Sequence, residues 1–335
     1  MAVLRSKIFW GRSQAALFWI ILACLRAWSQ EPDLNQIHVL PPAPPSAASV
    51  VGNHGLTKSV IKKNVDLVLV PVTITDKMDR VITGLDKQNF KLYENKKEQE
   101  IKHFSSEDSP ISVGIILDTS GSMKSKIDRA KEALHAFCKT ANPQDEFFLI
   151  TFADQPSSFG GFTSDVEKLQ RQLFFVDTHG RTALLDAIYL GLQKMRQAKQ
   201  PRRALLIISD GGDNRSRYTE HEVMSQVKEA DVMIYALGIY DHTFPTEEEF
   251  MGPTLLSSIA TVSGGRMFSV DDPDDLPVIA EQIGHELRNQ YVLGYRPRDT
   301  ERDGKWHKIK VTLLAPAGFA FLRVRARTGY YAPKQ

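Results

Sequence analysis

Two hydrophobic rhythms divide the chain. From 64 to 106 and again from 290 to 332, apolar positions tend to alternate with polar ones. Between them, over 110–289, short apolar runs alternate with segments whose apolar positions recur every three or four residues. Alternation turns one face of an extended segment toward a core, and the three-to-four spacing does the same for a helix. The first flank therefore predicts strands at Val65 to Thr75, Val81 to Leu85, Phe90 to Tyr93 and Gln99 to Phe104, with reversals at Asp76-Lys-Met-Asp79 and around Glu94-Asn-Lys-Lys97. The second predicts strands at Tyr291 to Pro297, Trp306 to Leu313 and Phe321 to Ala326. Neither flank can close a core by itself. Together they predict a small β-sandwich with the middle of the chain inserted between its halves.

In the middle, the runs Ser112 to Leu117, Glu146 to Phe152, Ser158 to Phe162, Ala204 to Ser209, Val232 to Gly238 and Arg266 to Val270 read as strands. Helical patterns fall near Lys124 to Thr140, Asp165 to Phe175, Ala183 to Gln197, Glu220 to Glu229, Gly252 to Ser263 and Asp274 to Asn289. This alternation predicts an α/β fold: a doubly wound, mostly parallel six-stranded sheet with helices on both faces. Cys138 shares an apolar helical face with Ile127, Ala130, Leu134 and Phe137, and is expected to be a small buried hydrophobe.

The first 29 residues differ in kind. Arg5, Lys7 and Arg12 precede the apolar run Ala15 to Cys24, and Ala27 and Ser29 follow as small residues, the layout of a secretory signal peptide cleaved after Ser29. The apolar run, about ten residues, falls short of the ~20 a spanning helix needs, so no transmembrane helix is expected in the mature chain. Ile21-Leu-Ala-Cys24 also resembles a bacterial lipobox, a reading in which Cys24 carries a lipid anchor. Residues 30–63, with Leu40-Pro-Pro-Ala-Pro-Pro, read as a Pro-rich linker. With only Cys24 and Cys138 in the chain, the mature protein has no disulfide framework. Export without disulfides points to a bacterial protein that is secreted, periplasmic or held at the cell envelope. The 42 Lys and Arg against 40 acids do not gather into a stripe, which argues against nucleic acid as a partner.

The candidate chemistry lies in three loops. Ile115-Ile-Leu-Asp118-Thr-Ser120-Gly-Ser122 carries an acid and two hydroxyls at alternate positions after an apolar strand. Magnesium takes oxygen ligands in near-octahedral geometry at about 2.1 Å, and serine hydroxyls suit it when a carboxylate stands close by. A further hydroxyl and a further acid are offered by Gly180-Arg-Thr182-Ala-Leu-Leu-Asp186 and by Ser209-Asp210-Gly-Gly-Asp213. Taken singly, the first is a solvated turn with helix-capping serines, Thr182 a helix cap, and Asp210-Gly-Gly a strand-ending turn. Asp186 is expected to support the Thr182 loop or face solvent, and Asp213 to cap its turn. Glu247-Glu-Glu249 reads as a solvated loop and Asp271-Asp-Pro-Asp-Asp275 as a helix-initiating acidic turn. There is no H-E-x-x-H and no G-x-S-x-G elbow, although His179 lies beside the loop.

Taken together, in this order, the three loops resemble the metal-ion-dependent adhesion site of von Willebrand factor A domains: D-x-S-x-S, then a threonine, then an aspartate. Ile259-Ala-Thr-Val-Ser-Gly-Gly-Arg-Met-Phe-Ser-Val270 resembles the ending common in such domains, and the whole layout is similar to an exported bacterial family of related proteins with β flanks. The resemblance implies a strand order 3-2-1-4-5-6 and a Mg2+ ion, or Mn2+ or Ca2+ in its place. Ser120 and Ser122 would bind it directly, Thr182 directly or through water, and Asp118 and Asp210 largely through water. A cation held by neutral oxygens keeps enough charge to accept an Asp or Glu carboxylate from a protein partner. Arg181 stands where the family often has glycine. The terminal helix from Asp274 resembles one that moves in some A domains.

These expectations describe an exported, non-enzymatic adhesion module. A magnesium-dependent phosphoryl hydrolase is the main competitor, with Asp118 as nucleophile. A haloacid-dehalogenase-like enzyme would carry a second acid where this chain has Ser120. A structural subunit of an envelope assembly, its loops stiffened by metal, is the third reading.

Overall fold

Apolar strands with no polar face need cover on both sides, and that requirement organises the middle of the molecule. The computed structural model describes residues 67–240, 247–297, 303–314 and 321–333. The expected signal peptide, Cys24 and the Pro-rich linker lie outside these residues. In chain order the elements are β1 (Val68–Thr75), β2 (Phe90–Glu94), β3 (Lys97–Gln99), β4 (Ile101–Ser105), β5 (Ile111–Asp118), α1 (Ile127–Lys139), β6 (Glu146–Phe152) and β7 (Pro156–Ser158). Then come α2 (Val166–Phe174), α3 (Leu184–Met195), β8 (Arg202–Ser209), α4 (Glu220–Glu229), β9 (Met233–Ile239), α5 (Glu247–Ser263), β10 (Met267–Val270) and α6 (Leu276–Arg288). The last four are β11 (Tyr291–Tyr295), β12 (Trp306–Leu313), β13 (Arg323–Ala326) and β14 (Gly329–Tyr331).

The central sheet runs β7-β6-β5-β8-β9-β10, the order the resemblance implied. Every pair in it is parallel except β6 with the edge strand β7. Strands β5, β6 and β9 are buried at every position. Their side chains alternate between two cores. Val113, Ile115, Leu117, Leu206 and Ile208 pack under α1, α2 and α6, while Ile116, Leu205 and Ile207 pack under α3, α4 and α5. Cys138 lies in the first of these cores, and burial pushes its thiol up to about 12.

The two flanks interleave as expected. One antiparallel sheet is β13-β1-β11-β4 and the other is β14-β12-β2-β3, so each combines strands from before Ser106 with strands from after Asn289. Val70, Val72, Ile74, Phe90, Leu92, Tyr291, Leu293 and Ile309 fill the space between them. Strand β4 leads into the inserted α/β domain and β11 leads out of it, and the two pair with each other, Val292 opposite Ser105. Both connections are thereby pinned to one sheet.

Several expected elements differ in detail. Val81 to Leu85 is not a strand: it makes only a bridge from Val81 to Thr75, because Gly84 (φ 78°) turns the chain away. The Tyr291 hydroxyl takes over its backbone, accepting from Leu85 N at 3.0 Å and donating to Ile82 O at 3.0 Å. Gln99 to Phe104 splits into β3 and β4, one in each sheet. Strand β7 lies earlier and is shorter than Ser158 to Phe162, since Gly160 (φ 75°) interrupts the pairing, which resumes only as a bridge between Phe147 and Thr163. Glu247 to Glu249 opens α5 instead of forming a loop, and β14 was not expected.

The β2–β3 hairpin closes with a two-residue loop, Glu94 opposite Lys97, and both Asn95 (φ 47°) and Lys96 (φ 70°) are left-handed. Asn tolerates that backbone and lysine does not. Lys96→Gly should therefore raise the stability measured in urea by about 1 kcal/mol; a loss would show that the Lys96 side chain outweighs the strain.

Candidate metal centre

Asp118 is the last residue of β5 and Asp210 follows the last residue of β8. These are neighbours on either side of the reversal in strand order, where open α/β sheets form a crevice beyond the strand ends. Both acids are buried, at 0% and 1% exposure. Asp118 Oδ1 accepts from Ser120 N at 2.9 Å, and its Oδ2 accepts from Ser209 Oγ at 2.6 Å. Ser209 Oγ in turn accepts from Gly211 N at 2.9 Å, which ties the two acid-bearing loops together.

After Asp118 the chain leaves the strand through a 3-10 turn, Gly121–Ser125, before α1 begins. That turn brings Ser120 Oγ and Ser122 Oγ to 3.1 Å of each other, Ser120 buried and Ser122 exposed at the rim. Thr182 is buried and reaches the same rim through a backbone lattice. His179 N donates to Thr119 O at 2.8 Å and Gly121 N to Gly180 O at 3.1 Å. Gly180 (φ 72°) is required here, because a Cβ would lie 2.4 Å from Asp154 Oδ2. On its other side Thr182 N donates to Asn214 Oδ1 at 3.1 Å, and Thr182 O accepts from Asn214 N at 3.0 Å and Arg215 N at 3.1 Å. The three predicted loops are thus laced together. Thr182 does not itself cap the helix: α3 starts at Leu184 with Ala183 before it.

The neighbouring acids are structural. Asp186 is buried and accepts from Arg217 N at 2.8 Å and Tyr218 N at 3.1 Å, holding the 213–218 loop instead of facing solvent. Asp213 accepts from Ser216 N at 3.2 Å, as its turn requires, and also from Leu185 N at 2.8 Å at the start of α3. Arg181 is exposed.

Burial first, and then the negative charge of Asp210, push the Asp118 carboxyl up to about 7, against the hydrogen bonds from Ser120 and Ser209. Lys126 Nζ lies 3.8 Å from Asp210 Oδ2 while donating to Ile239 O at 3.3 Å. Two mutually repelling buried carboxylates beside a pair of hydroxyls are a setting that a divalent cation relieves. Among the described residues no three His, Cys, Asp or Glu side chains gather as a metal cluster. The donors are two acids with neutral hydroxyls, a set that suits Mg2+, Mn2+ or Ca2+ better than zinc.

Residues 113–212 match the model of the von Willebrand factor type A domain. This stretch of the chain is similar to a von Willebrand factor type A domain. The matched stretch runs from β5 through the loop after β8 and includes Asp118, Ser120, Ser122, Thr182 and Asp210. An uncharacterized protein of Borreliella burgdorferi is 25% identical over 182 residues, covering 47% of this chain and 53% of that protein. Inter alpha-trypsin inhibitor, heavy chain 4, of Mus musculus is 24% identical over 205 residues, covering 56% of this chain and 21% of that protein. The chain thus spans about half the length of the first relative and about a fifth of the second. A von Willebrand factor type A structure from Catenulispora acidiphila is 13% identical, with a TM-score of 0.48 over 82% of this chain and 75% of that one.

Lys126, Ser209 and Asn214 are residues around these loops that sequence reasoning missed. Ser209 sits one position before Asp210 and passes for a strand residue. Lys126 reads as part of an amphipathic helix. Because its ammonium competes with any cation for Asp210, Lys126→Met should tighten magnesium binding severalfold in titration calorimetry. An unchanged or weaker Kd would show that the ammonium lies outside the ion's field.

Proposed function

We propose that this A domain is an exported, non-enzymatic binding module that engages a protein partner through one divalent ion. Asp118, Ser120, Ser122, Thr182 and Asp210 would hold the ion, and an Asp or Glu of the partner would complete its coordination. The observation that carries this reading is the convergence of two buried, mutually repelling carboxylates with hydroxyls at one rim. Ser120 and Ser122, as neutral ligands, would leave the cation electrophilic toward a partner's carboxylate. Export is supported by the sequence of residues 1–29, followed by cleavage after Ser29 or lipidation at Cys24. No helix among the described residues is long and apolar enough to cross a membrane.

Affinity capture from envelope extract tests the proposal, comparing magnesium with EDTA and wild type with Asp118→Ala. A partner retained only by wild type in magnesium is the expected result. A profile indifferent to both changes would favour a structural subunit. Lys126 beside Asp210 keeps the hydrolase alternative in view, since that chemistry would need a cation near the phosphate. Magnesium-dependent phosphoester turnover that vanishes in Asp118→Asn would establish it. A serine two residues after Asp118 argues for binding.

A further inference from the structure

At the opposite end of the parallel sheet from Asp118, roughly 23 Å away along β5, lies a partly open cavity of about 160 Å³. Leu69, Pro71 and Val292 of the sandwich, Met233 and Val262 of the A domain, and Trp306 form its apolar wall. Its charged lining is unbalanced, with Arg202, Arg203, Lys228 and Arg327 against the single acid Asp231. Arg327 Nη1 pairs with Asp231 Oδ1 at 2.7 Å. Arg202 is spent on the structure: it donates to Ser109 O at 3.1 Å, to Leu287 O and to Gln290 Oε1, and stands 3.9 Å from Asp108.

Arg203 and Lys228 remain, and neither has a carboxylate partner among the described residues. The Nε of Arg203 is shielded from water and finds no acceptor. Glu229 and Asp231 line an adjoining hollow with it, yet neither pairs with it. Lys228 Nζ lies 6.0 Å from the centre of the Trp306 ring. Two cations without a counter-charge of their own beside an apolar wall are what an anion in the cavity would neutralise. An apolar cavity of about this volume accommodates one benzene ring.

We propose that this cavity binds a small organic acid: a ring-sized apolar body against Trp306 and Val262, with its carboxylate on Arg203 and Lys228. A guanidinium and a carboxylate form the strongest class of neutral-pH hydrogen bond, and the low-dielectric wall strengthens it. Both structural parts contribute to the wall, so the ligand would also brace their junction. The site is independent of the metal reading and shares no residue with it.

Titration calorimetry on the full chain with phenylacetate, and with phenylacetamide as its neutral isostere, tests the assignment. Wild type should bind the acid saturably and the amide at least about tenfold more weakly. Arg203→Met and, on the half-exposed face of α4, Lys228→Met should each bring the acid toward the affinity of the amide. Val262→Phe, which fills the cavity, should abolish both signals while melting remains cooperative. Absence of saturable phenylacetate binding by wild type would overturn the proposal. So would equal affinities for acid and amide, or unchanged affinity in both methionine variants.

Discussion

Asp118→Asn is expected to raise the melting temperature of the metal-free protein and to erase its response to magnesium. The two effects have one cause. Asp118 is wholly buried, and the charge of Asp210 opposes its ionisation, so near neutral pH the pair destabilises the metal-free fold. An amide keeps an oxygen for Ser120 N, and its NH2 donates to Ser209 Oγ in place of the bond Ser209 now donates, so the loop keeps both links while the repulsion disappears. The same change removes half of the carboxylate charge that would attract the ion. At a magnesium concentration near 100 Kd, wild type should gain about 2.7 kcal/mol, seen as roughly 5–10 °C in a thermal melt of a unit of this size. Ser120→Ala with Thr182→Ala should also lose the gain, without the metal-free stabilisation. An Asp118→Asn protein that still shifts with magnesium would remove Asp118 from the site.

Arg266→Ala should be the most damaging single change away from the metal loops. Arg266 stands just before β10, stacks on Phe268 at 3.9 Å, and pairs with Glu286 of α6 and with Asp79 of the sandwich at 2.9 Å. Glu286 is 0% exposed. Burial drives its carboxyl above the ordinary range, and Arg266 is the main group that opposes this. Without the guanidinium, Glu286 must either hold an uncompensated charge or take up a proton, at a cost of about 3–5 kcal/mol. Urea unfolding measures the loss. Arg266→Met with Glu286→Leu should recover most of it, because the buried charge leaves together with its partner. If the double variant is no better than Arg266→Ala, then packing on Phe268 and the contact with Asp79 carry the stability instead. The same residues restrain α6, since Gln282 Nε2 also donates to Asp79 O at 2.9 Å.

Legibility differed from element to element. Strands such as β5 and β6 were plain because burial on both faces leaves an unbroken apolar run. Trp306–Leu313 was placed at its observed bounds. The Val81 to Leu85 segment misled because its composition suits a strand while its backbone is satisfied by the Tyr291 hydroxyl, contributed from over two hundred positions away. Residues 97–105 misled in another way, because a single extended run changes sheets at Glu100, and local pattern carries no mark of which strand will pair with which.

For the candidate site, the residue types and their order along the chain were enough to nominate Asp118, Ser120, Ser122, Thr182 and Asp210, since strand ends and turns are local events. The sequence alone also determined the α/β class, the flanking strands and the insertion between them, because hydrophobic period is a local property. Only the tertiary structure decided that Ser209 bridges the acid loops, that Lys126 faces Asp210, and that Arg203, Lys228 and Trp306 line one cavity. Each of those contacts joins residues far apart in sequence whose own neighbours follow an ordinary strand or helix pattern. Their chemistry exists only once burial has removed the water that would otherwise satisfy them.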